Sequence, residues 1–502
     1  MGADVPGAST NTTVTIGSKL NAGSARLVRM RLLLLTLLSA ASVSAQPISL
    51  YPENPHYFLF AGKPAVLIGS GEHYGAVLNR DFDYLRYLDT LRAGNMNLTR
   101  TFSGSYREVP GNFQIAANTL APAPGKYMAP WWQRAGKFDL TKWDDAYFTR
   151  LKDFVAYAGR SHVVVELVLF CPLYEDSMWS VSPMNIRNNV NGIGDVARTG
   201  VLALKDARLT AVQDAMTRKI VSELRGFDNV YYEICNEPYF QGVTLEWQEH
   251  ISQVIAETEA GPGKIHLIAQ NWANGSAAID RPNPLVGLFN FHYSRPPASV
   301  AMNWKLNRAI GNNETGFDGA ADATYRIQGW AFLMAGGALY NNLDYSFTVG
   351  HEDGTFGPPS TTPGGGSAAL RRQLRHLRAF FDEIPFWRMQ PAAEGMVRGP
   401  EGAAVHALEE PGKIYAVYIH HGRVVKDGKP RFQVDEAEAA RPVTLQLPPG
   451  TYTVTWRGTK SGVDEKTEDL KVTSPSQQTH LTSPVYAEDI AFVVRAVNAR
   501  QR

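Results

Sequence analysis

The segment Val230-Tyr231-Tyr232-Glu233-Ile234-Cys235-Asn236-Glu237-Pro238 carries the strongest fold signal in the chain. Its first half is rich in β-branched and aromatic residues, which is typical of a buried strand. The strand must stop at Asn-Glu-Pro, because proline has no N–H to donate to a sheet. The pattern therefore predicts a carboxylate, that of Glu237, at the carboxyl end of a core strand.

Strands and helices alternate on both sides of this segment. Predicted strands end at or near Glu72, Phe102, Phe170, Cys235, Gln270, His292, Glu314 and Tyr345. Predicted helices cover residues 81–93, 143–159, 206–225, 245–259, 321–334 and 368–381, and Asp81 is the predicted cap of the first. Apolar strands separated by amphipathic helices indicate a parallel sheet, and eight such units indicate a closed (β/α)8 TIM barrel. A doubly wound sheet is the alternative, but no Gly-rich dinucleotide turn supports it.

The predicted secondary structure changes around residues 385–391, from alternating helices and strands to strands alone. Short predicted strands follow, separated by turns such as Pro448-Pro449-Gly450, and no helix of any length is predicted there. We therefore predict a catalytic barrel over residues 46–388 and a small all-β sandwich over residues 389–502. A chain of 502 residues is long enough for both domains. The stretch 103–140, rich in Pro, Gly and aromatic residues, is predicted to be one long functional loop.

Composition narrows the function classes. Hydrophobic residues make up 44% of the chain and charged residues 19%, which describes a foldable globular protein. The 49 basic and 48 acidic residues nearly cancel, so nucleic acid is not an expected partner. The two cysteines, Cys171 and Cys235, cannot form a thiolate zinc site by themselves. We expect them to be buried free thiols, with a disulfide as the alternative.

The amino end has the pattern of an export signal. Arg29-Met30-Arg31 forms a short positive region, and the apolar run 32–38 is too short to span a bilayer. Small residues at positions 41–45 then predict a secretory signal peptide that is cleaved after Ala45. We expect Met30 to be the true start, within a leader and signal peptide over residues 1–45. A leader before a membrane anchor is the alternative. The mature protein is expected to be secreted or periplasmic, without a membrane span.

A second glutamate occurs in a setting similar to that of Glu237. It ends the segment Ala309-Ile310-Gly311-Asn312-Asn313-Glu314 and is followed by Thr315-Gly316. Two glutamates on strand ends of one barrel are what a double-displacement glycosidase requires, one as acid/base and one as nucleophile. A single glutamate at a strand end is more often structural. The ordered pair favours catalysis by Glu237 and Glu314.

The two motifs also carry a family resemblance. The sequences of residues 232–238 and 310–314 resemble the fourth-strand and seventh-strand signatures of clan A retaining glycoside hydrolases, the cellulase-like TIM barrels. The resemblance spans about residues 50–385. It implies that Glu237 is the acid/base, that Asn236 contacts the sugar 2-hydroxyl, and that Glu314 is the nucleophile. Arg100 would match the second-strand arginine that orients the nucleophile.

Two departures from the family pattern affect the expected substrate. His292 and Tyr293 match the sixth-strand His/Tyr pair, but they are adjacent, so we expect only one of them to point inward. The eighth strand lacks the expected tryptophan and offers Tyr345 among its polar residues. The last hundred residues resemble a β-sandwich domain of the collagen-binding type. Some cellulase-like barrels carry this domain after the barrel.

Further residues near strand ends are candidate substrate contacts. Glu72 and His73 follow the first strand, and Trp179 lies on the loop after the third. Trp272, like Trp131 and Trp132, is a candidate sugar platform, with packing as an equal alternative. Glu166 and Glu233 lie deeper in their strands, where an inward acid is usually paired rather than catalytic.

Other enzyme classes find no support. The chain has no Gly-x-Ser-x-Gly elbow, no P-loop, and no second His to complete a zinc motif at His351-Glu352. We expect no cofactor and no metal. The remaining alternative is a barrel that binds a glycan or extracellular matrix without catalysis. The sequence does not specify the sugar, the linkage or the oligomeric state.

Overall fold

The structure is a computed structural model that describes residues 46–261, 265–475 and 477–497. The predicted signal peptide lies outside the described residues. Within those ranges, no helix has both the length and the apolar character needed to cross a bilayer.

Eight parallel strands form the predicted barrel. In chain order, the first to eighth strands are Leu67–Gly71, Leu98–Phe102, Val164–Phe170, Val230–Cys235, Ile268–Asn274, Leu288–His292, Ala309–Glu314 and Leu339–Leu343. From the second to the eighth, each strand pairs with the next one along the chain, and the eighth pairs with the first. Asn97 closes the ring between the first and second strands, because its backbone N–H donates to the carbonyl of Ile68 (3.1 Å) while its side chain accepts from the Ile68 N–H (2.7 Å).

Helices surround this sheet, as expected from the amphipathic segments. The α-helices are Tyr84–Ala93, Asp145–Arg160, Asp176–Val181, Ala207–Leu224, Leu245–Glu259, Ala298–Asn303, Asp322–Met334 and Ala368–Glu383. Short 3-10 turns occur at Asn112–Gln114, Arg198–Gly200, Trp304–Leu306 and Phe386–Arg388. The predicted cap of the first helix was wrong by two residues. Asp83 accepts from the N–H groups of the first turn, whereas the carboxylate of Asp81 binds Lys126 (2.5 Å).

The segment after the second strand is not a continuous loop. It contains an antiparallel hairpin, Trp131–Arg134 with Lys137–Trp143. The two turn residues, Ala135 and Gly136, both have positive φ, as a tight hairpin turn requires. In this hairpin Trp131 is buried and Trp132 is 39% exposed. A further small sheet precedes the barrel and consists of strands Ser49–Leu50, Phe58–Phe60 and Lys63–Ala65.

The carboxy-terminal region is all-β, as predicted. A six-stranded antiparallel sheet has the order Gln390–Pro391, Ala404–Glu410, Ile414–His420, Asp489–Ala496, Gly450–Gly458 and Asp464–Val472. A second sheet contains Val397–Arg398, Pro442–Gln446 and Gln478–Thr482, and Gly422–Val424 pairs with Phe432–Val434. Residues such as Trp456 and Leu445 form the core that the two larger sheets share.

The six-stranded sheet also packs against the barrel. The ring of Tyr418 stacks on that of Trp330, with centroids 5.4 Å apart. Beside this stack the buried Arg326 guanidinium binds the carboxylates of Asp489 (2.6 Å) and Glu488. Because both the cation and its partners are buried, the sheet and the barrel helix Asp322–Met334 depend on each other for charge compensation.

Candidate active site

Glu237 and Glu314 meet at the carboxyl end of the barrel. Glu314 ends the seventh strand, and Glu237 follows the fourth strand by two residues. His292, at the end of the sixth strand, lies between them, with Nδ1 3.1 Å from Glu237 Oε1 and 3.4 Å from Glu314 Oε1. One ligand atom from each of the three residues lies within 4.8 Å of the others. The two predicted carboxylates are therefore neighbours in a single site.

The Glu314 carboxylate is held by three donors. It accepts hydrogen bonds from the Tyr74 hydroxyl (2.9 Å), Arg100 Nη1 (3.2 Å) and the Tyr293 hydroxyl (2.5 Å). Burial alone would raise the pKa of Glu314, but the nearby His292, Arg100 and Tyr293 together lower it well below the usual range. Glu314 is therefore ionised at neutral pH.

The Glu237 carboxyl is surrounded by phenol groups. The Tyr174 hydroxyl donates to Oε2 (2.6 Å) and the Tyr239 hydroxyl donates to Oε1 (3.2 Å). The preceding Asn236 also binds the Tyr174 hydroxyl (2.9 Å), and its side-chain oxygen accepts from Arg100 Nη2 (2.7 Å). Glu237 has a φ of +38°, an unusual value for a residue with a side chain. The surrounding contacts hold the carboxyl in this conformation over the cleft.

His292 and Tyr293 both face Glu237 and Glu314, which corrects the expectation that only one would. Strand alternation ends at His292, and Tyr293 adopts a φ of +52°. The pairing register with the seventh strand also shifts at His292, which lies opposite Glu314. The left-handed turn brings the second side chain back to the side of the first. Burial favours neutral His292, but Glu314 and Glu237 outweigh it and raise the pKa of the imidazole to about 9.

A layer of buried polar groups lies beneath Glu237 and Glu314. Arg100 Nη2 binds Glu233 Oε1 (2.5 Å), and Arg100 Nε lies 3.6 Å from Glu166 Oε1. The amides of Asn290 and Asn313 each donate to both of these carboxyls, at 2.7–2.9 Å. Burial and the adjacent Glu233 raise the pKa of Glu166, so Glu166 retains a proton. The layer fixes Arg100 from below and leaves Nη1 free for Glu314.

The other predicted substrate contacts near the ends of the first and eighth strands differ in whether they line the cleft. His73 lines the cleft, and its Nε2 lies 3.3 Å from Glu108. Tyr345 lies behind it, with ring centroids 6.0 Å apart, and its buried hydroxyl has no partner among the described residues. Glu72 does not line the cleft. Its two oxygens accept from the N–H groups of Gly75 and Ala76 (both 2.9 Å), so this carboxylate shapes the loop after the first strand.

Two of the candidate tryptophans, Trp179 and Trp272, are packed outside the cleft lined by Glu237 and Glu314. Trp179 is buried, and its indole N–H donates to the carbonyl of Val196 (3.0 Å). The Trp272 indole donates to the carbonyl of Ala278 (3.1 Å), and its ring packs edge-on against Phe289. Neither side chain lines the cleft. For Trp272 this is the packing role that the sequence left as an equal alternative, and for Trp179 it corrects the expected substrate contact.

Tyrosines are the functional residues that sequence reasoning missed. The cleft lining contains His73, Tyr74, Phe102, Tyr106, Glu108, Phe113, Leu120, Cys171, Tyr174, Asn236, Glu237, Tyr293, Glu314 and Phe317. Tyr74 and Tyr174 come from loops after the first and third strands, and they donate to Glu314 and Glu237, respectively. A tyrosine one to four residues after a predicted strand end is the only signal that could have found them.

The two cysteines are free and buried, as expected. Burial is the main factor that raises the pKa of both thiols, so neither is a reactive thiolate at neutral pH. Glu237, His292 and Glu314 are close enough to hold a metal ion. A metal would have to displace the proton that His292 carries below about pH 9.

Comparisons with known proteins identify related folds. No protein-family model and no curated protein matches the sequence. A candidate glycoside hydrolase from Bacteroides vulgatus ATCC 8482 is similar in structure, with a TM-score of 0.63, 13% identity, and coverage of 91% of this chain and 84% of that one. A glycoside hydrolase family 5 structure from the same organism has a TM-score of 0.60, 13% identity, and coverage of 90% and 93%.

A third solved structure, described as a glycoside hydrolase, gives a TM-score of 0.59 at 14% identity and covers 91% of this chain and 98% of that one. These similarities extend over the barrel and the appended sheets together. At such low identity they show a shared fold.

Proposed function

We propose that this protein is a retaining glycoside hydrolase that cleaves a β-linked glycan by double displacement. The observation that carries the proposal is the spacing of Glu237 and Glu314, whose nearest ligand atoms lie within 4.8 Å. Direct attack by a carboxylate requires a separation of about 5–5.5 Å, whereas an inverting enzyme needs about 6.5–9.5 Å to accommodate a water molecule. The spacing leaves room for an anomeric carbon but not for a water between carboxylate and carbon.

Glu314 is the proposed nucleophile. Arg100, Tyr74 and Tyr293 keep it ionised and fix the direction of its lone pairs. Attack on the anomeric carbon forms a glycosyl ester with one carboxylate oxygen as the leaving group departs. The phenol of Tyr293, 2.5 Å from Oε1, is placed to stabilise charge on the other side of that carboxylate.

Glu237 is the proposed acid/base. It first donates a proton to the departing glycosidic oxygen and then accepts one from the water that hydrolyses the ester. His292 touches both carboxylates and carries a proton below about pH 9. It can therefore balance the negative charge of Glu314 before attack, and that of Glu237 while Glu314 is esterified. Asn236, fixed by Arg100, presents its amide beside Glu237 to a sugar hydroxyl.

The structural neighbours support the reaction class, because the three with TM-scores of 0.59–0.63 are described as glycoside hydrolases. The cleft walls are aromatic, with Phe113 and Phe317 at 39% and 38% exposure. Flat apolar faces of this kind suit the apolar face of a sugar ring.

Hydrolysis of a panel of aryl β-glycosides and polysaccharides tests the proposal. Glu237→Gln and Glu314→Gln should each remove most turnover on the best polysaccharide substrate of the panel. Glu175→Gln is the matched control, because Glu175 binds Asn112 and Ser177 and does not line the cleft. Saturable glycan binding without any turnover by the unmodified protein would instead favour the non-catalytic alternative.

A further inference from the structure

A second cavity lies between the barrel and the β-sheet region. Its volume is about 300 Å³, within the range of small-molecule sites. Its walls are mainly apolar and include Pro296, Pro297, Ile327, Ala331, Val424 and Phe432. It shares no lining residue with the catalytic cleft. A ligand bound here would therefore contact both the barrel helix Asp322–Met334 and the strands around His420.

Two stacked histidines form one wall of this cavity. The rings of His406 and His420 are nearly parallel, at 17°, with centroids 5.5 Å apart. Burial lowers the pKa of His406 to about 3 and that of His420 to about 4, so both are neutral at physiological pH. Nδ1 of His420 accepts the N–H of Gly422 (3.1 Å), which leaves its proton on Nε2. No described residue supplies an acceptor for that proton.

Two fully buried polar atoms of the lining residues have no partner among the described residues. They are Nε2 of His406 and Oε1 of Gln328. The amide nitrogen of Gln328 donates to Asp318 (2.9 Å), so the amide oxygen is the atom of this side chain without a hydrogen-bond partner. Buried polar atoms without partners are rare, and a bound molecule or water is the ordinary explanation. A ligand hydroxyl group can accept from an imidazole N–H such as that of His420 or donate to an amide oxygen such as that of Gln328.

The cavity offers no unpaired buried charge within the described chain. Arg295 lines it, but its guanidinium is bound to Asp318 (2.6 Å). Arg423 also lines it, but this residue is exposed, where a charge contributes little to affinity. These features favour a neutral ligand. A sugar carries more hydroxyl groups than the lining residues can satisfy, so burial of a sugar would leave several without partners.

We propose that this cavity is a binding site for a small neutral aromatic alcohol. Its ring would lie among the imidazoles and Phe432, and its hydroxyl would bind His420 Nε2–H or Gln328 Oε1. The site adjoins the catalytic cleft along the chain, because the wall residues 294–297 follow Tyr293 directly. Arg295 connects the two places, since its Nη1 binds the carbonyl of Tyr293 (3.0 Å).

Calorimetric titration of the full chain with phenol tests the proposal. We expect saturable binding with a Kd of about 1 mM, as suits a molecule of this size. His420→Phe keeps the stack and the apolar wall but removes the donor, so it should weaken phenol binding about tenfold. His351→Phe, at an exposed histidine, is the matched control and should leave the affinity unchanged. Ala331→Leu, which narrows the cavity, gives a second loss of binding if His420→Phe does not fold.

Three outcomes would overturn the assignment. The first is the absence of saturable phenol binding up to about 10 mM. The second is tighter binding of benzoate than of phenol, lost in Arg423→Ala, which would mean an anion site at the rim. The third is weakening by Glu314→Gln but not by His420→Phe, which would place phenol in the catalytic cleft.

Discussion

The protonated His292 imidazole predicts a specific pH dependence of stability. The side chain is fully buried between Glu237 and Glu314, which raise its pKa from 6.5 to about 9. At 1.36 kcal/mol per pKa unit, this difference corresponds to about 3 kcal/mol of folding free energy. Because the pKa is raised in the folded state, the stabilisation is fully present below about pH 6.5. It is lost as the pH rises through about 9.

The assay compares the unmodified protein with His292→Gln, which cannot carry the proton. Urea unfolding followed by tryptophan fluorescence at several pH values gives the difference in unfolding free energy at each pH. Contributions from distant groups largely cancel in this difference, so it reports the coupled titration of His292 with Glu237 and Glu314. We expect it to shrink by about 3 kcal/mol between about pH 6 and pH 10. His351→Gln, at an exposed histidine, should show no such trend. A pH-independent difference for His292→Gln would refute the reasoning.

Three further predictions concern other groups of the site and its support. Glu237→Ala should reduce hydrolysis of natural glycosides far more than that of activated aryl glycosides, because a good leaving group needs little protonation. Equal losses on both substrates would count against the acid/base assignment. Arg100→Met should lower the unfolding free energy by about 3–5 kcal/mol, because it leaves buried carboxylates unpaired, and thermal or urea unfolding measures this. If Arg100→Met causes no loss of stability, Glu233 and Glu314 must be protonated when the guanidinium is absent. A chain truncated near Gln390 should keep its chemistry but lose stability, because the buried Arg326 loses Asp489 and Glu488. Arg326→Met in the truncated chain should recover stability. A folded truncated chain without turnover of a small soluble substrate would show that the sandwich helps to form the cleft.

The sequence was most informative where local chemistry forces a structure. Proline after Asn236-Glu237 ends the fourth strand whatever its neighbours do, so the position of that glutamate could be predicted. The seventh-strand segment ending at Glu314 has the same local character, and both residues lie where parallel strands of a barrel end. Periodicity also identified the barrel strands and most helices to within a few residues.

The rest of the site depends on long-range contacts and on backbone turns. Tyr174 reaches Glu237 across 63 residues of sequence, and Tyr74 reaches Glu314 across 240. No local pattern records such pairs. Tyr293 faces inward only because it adopts a left-handed φ, which strand alternation cannot anticipate. Trp179 shows the converse, since a position that looks like an exposed loop in the sequence can be a packed one.

The stereochemistry of the first product tests the central claim most directly. Proton NMR can follow the anomeric signal during hydrolysis of a β-glycoside. Spectra recorded before mutarotation distinguish retention from inversion at the anomeric carbon. The approach of Glu237 and Glu314 to within 4.8 Å predicts that the sugar released first has the β configuration of the substrate. Release of the α anomer first would mean that water attacks directly, and it would contradict the assignment of Glu314 as the nucleophile.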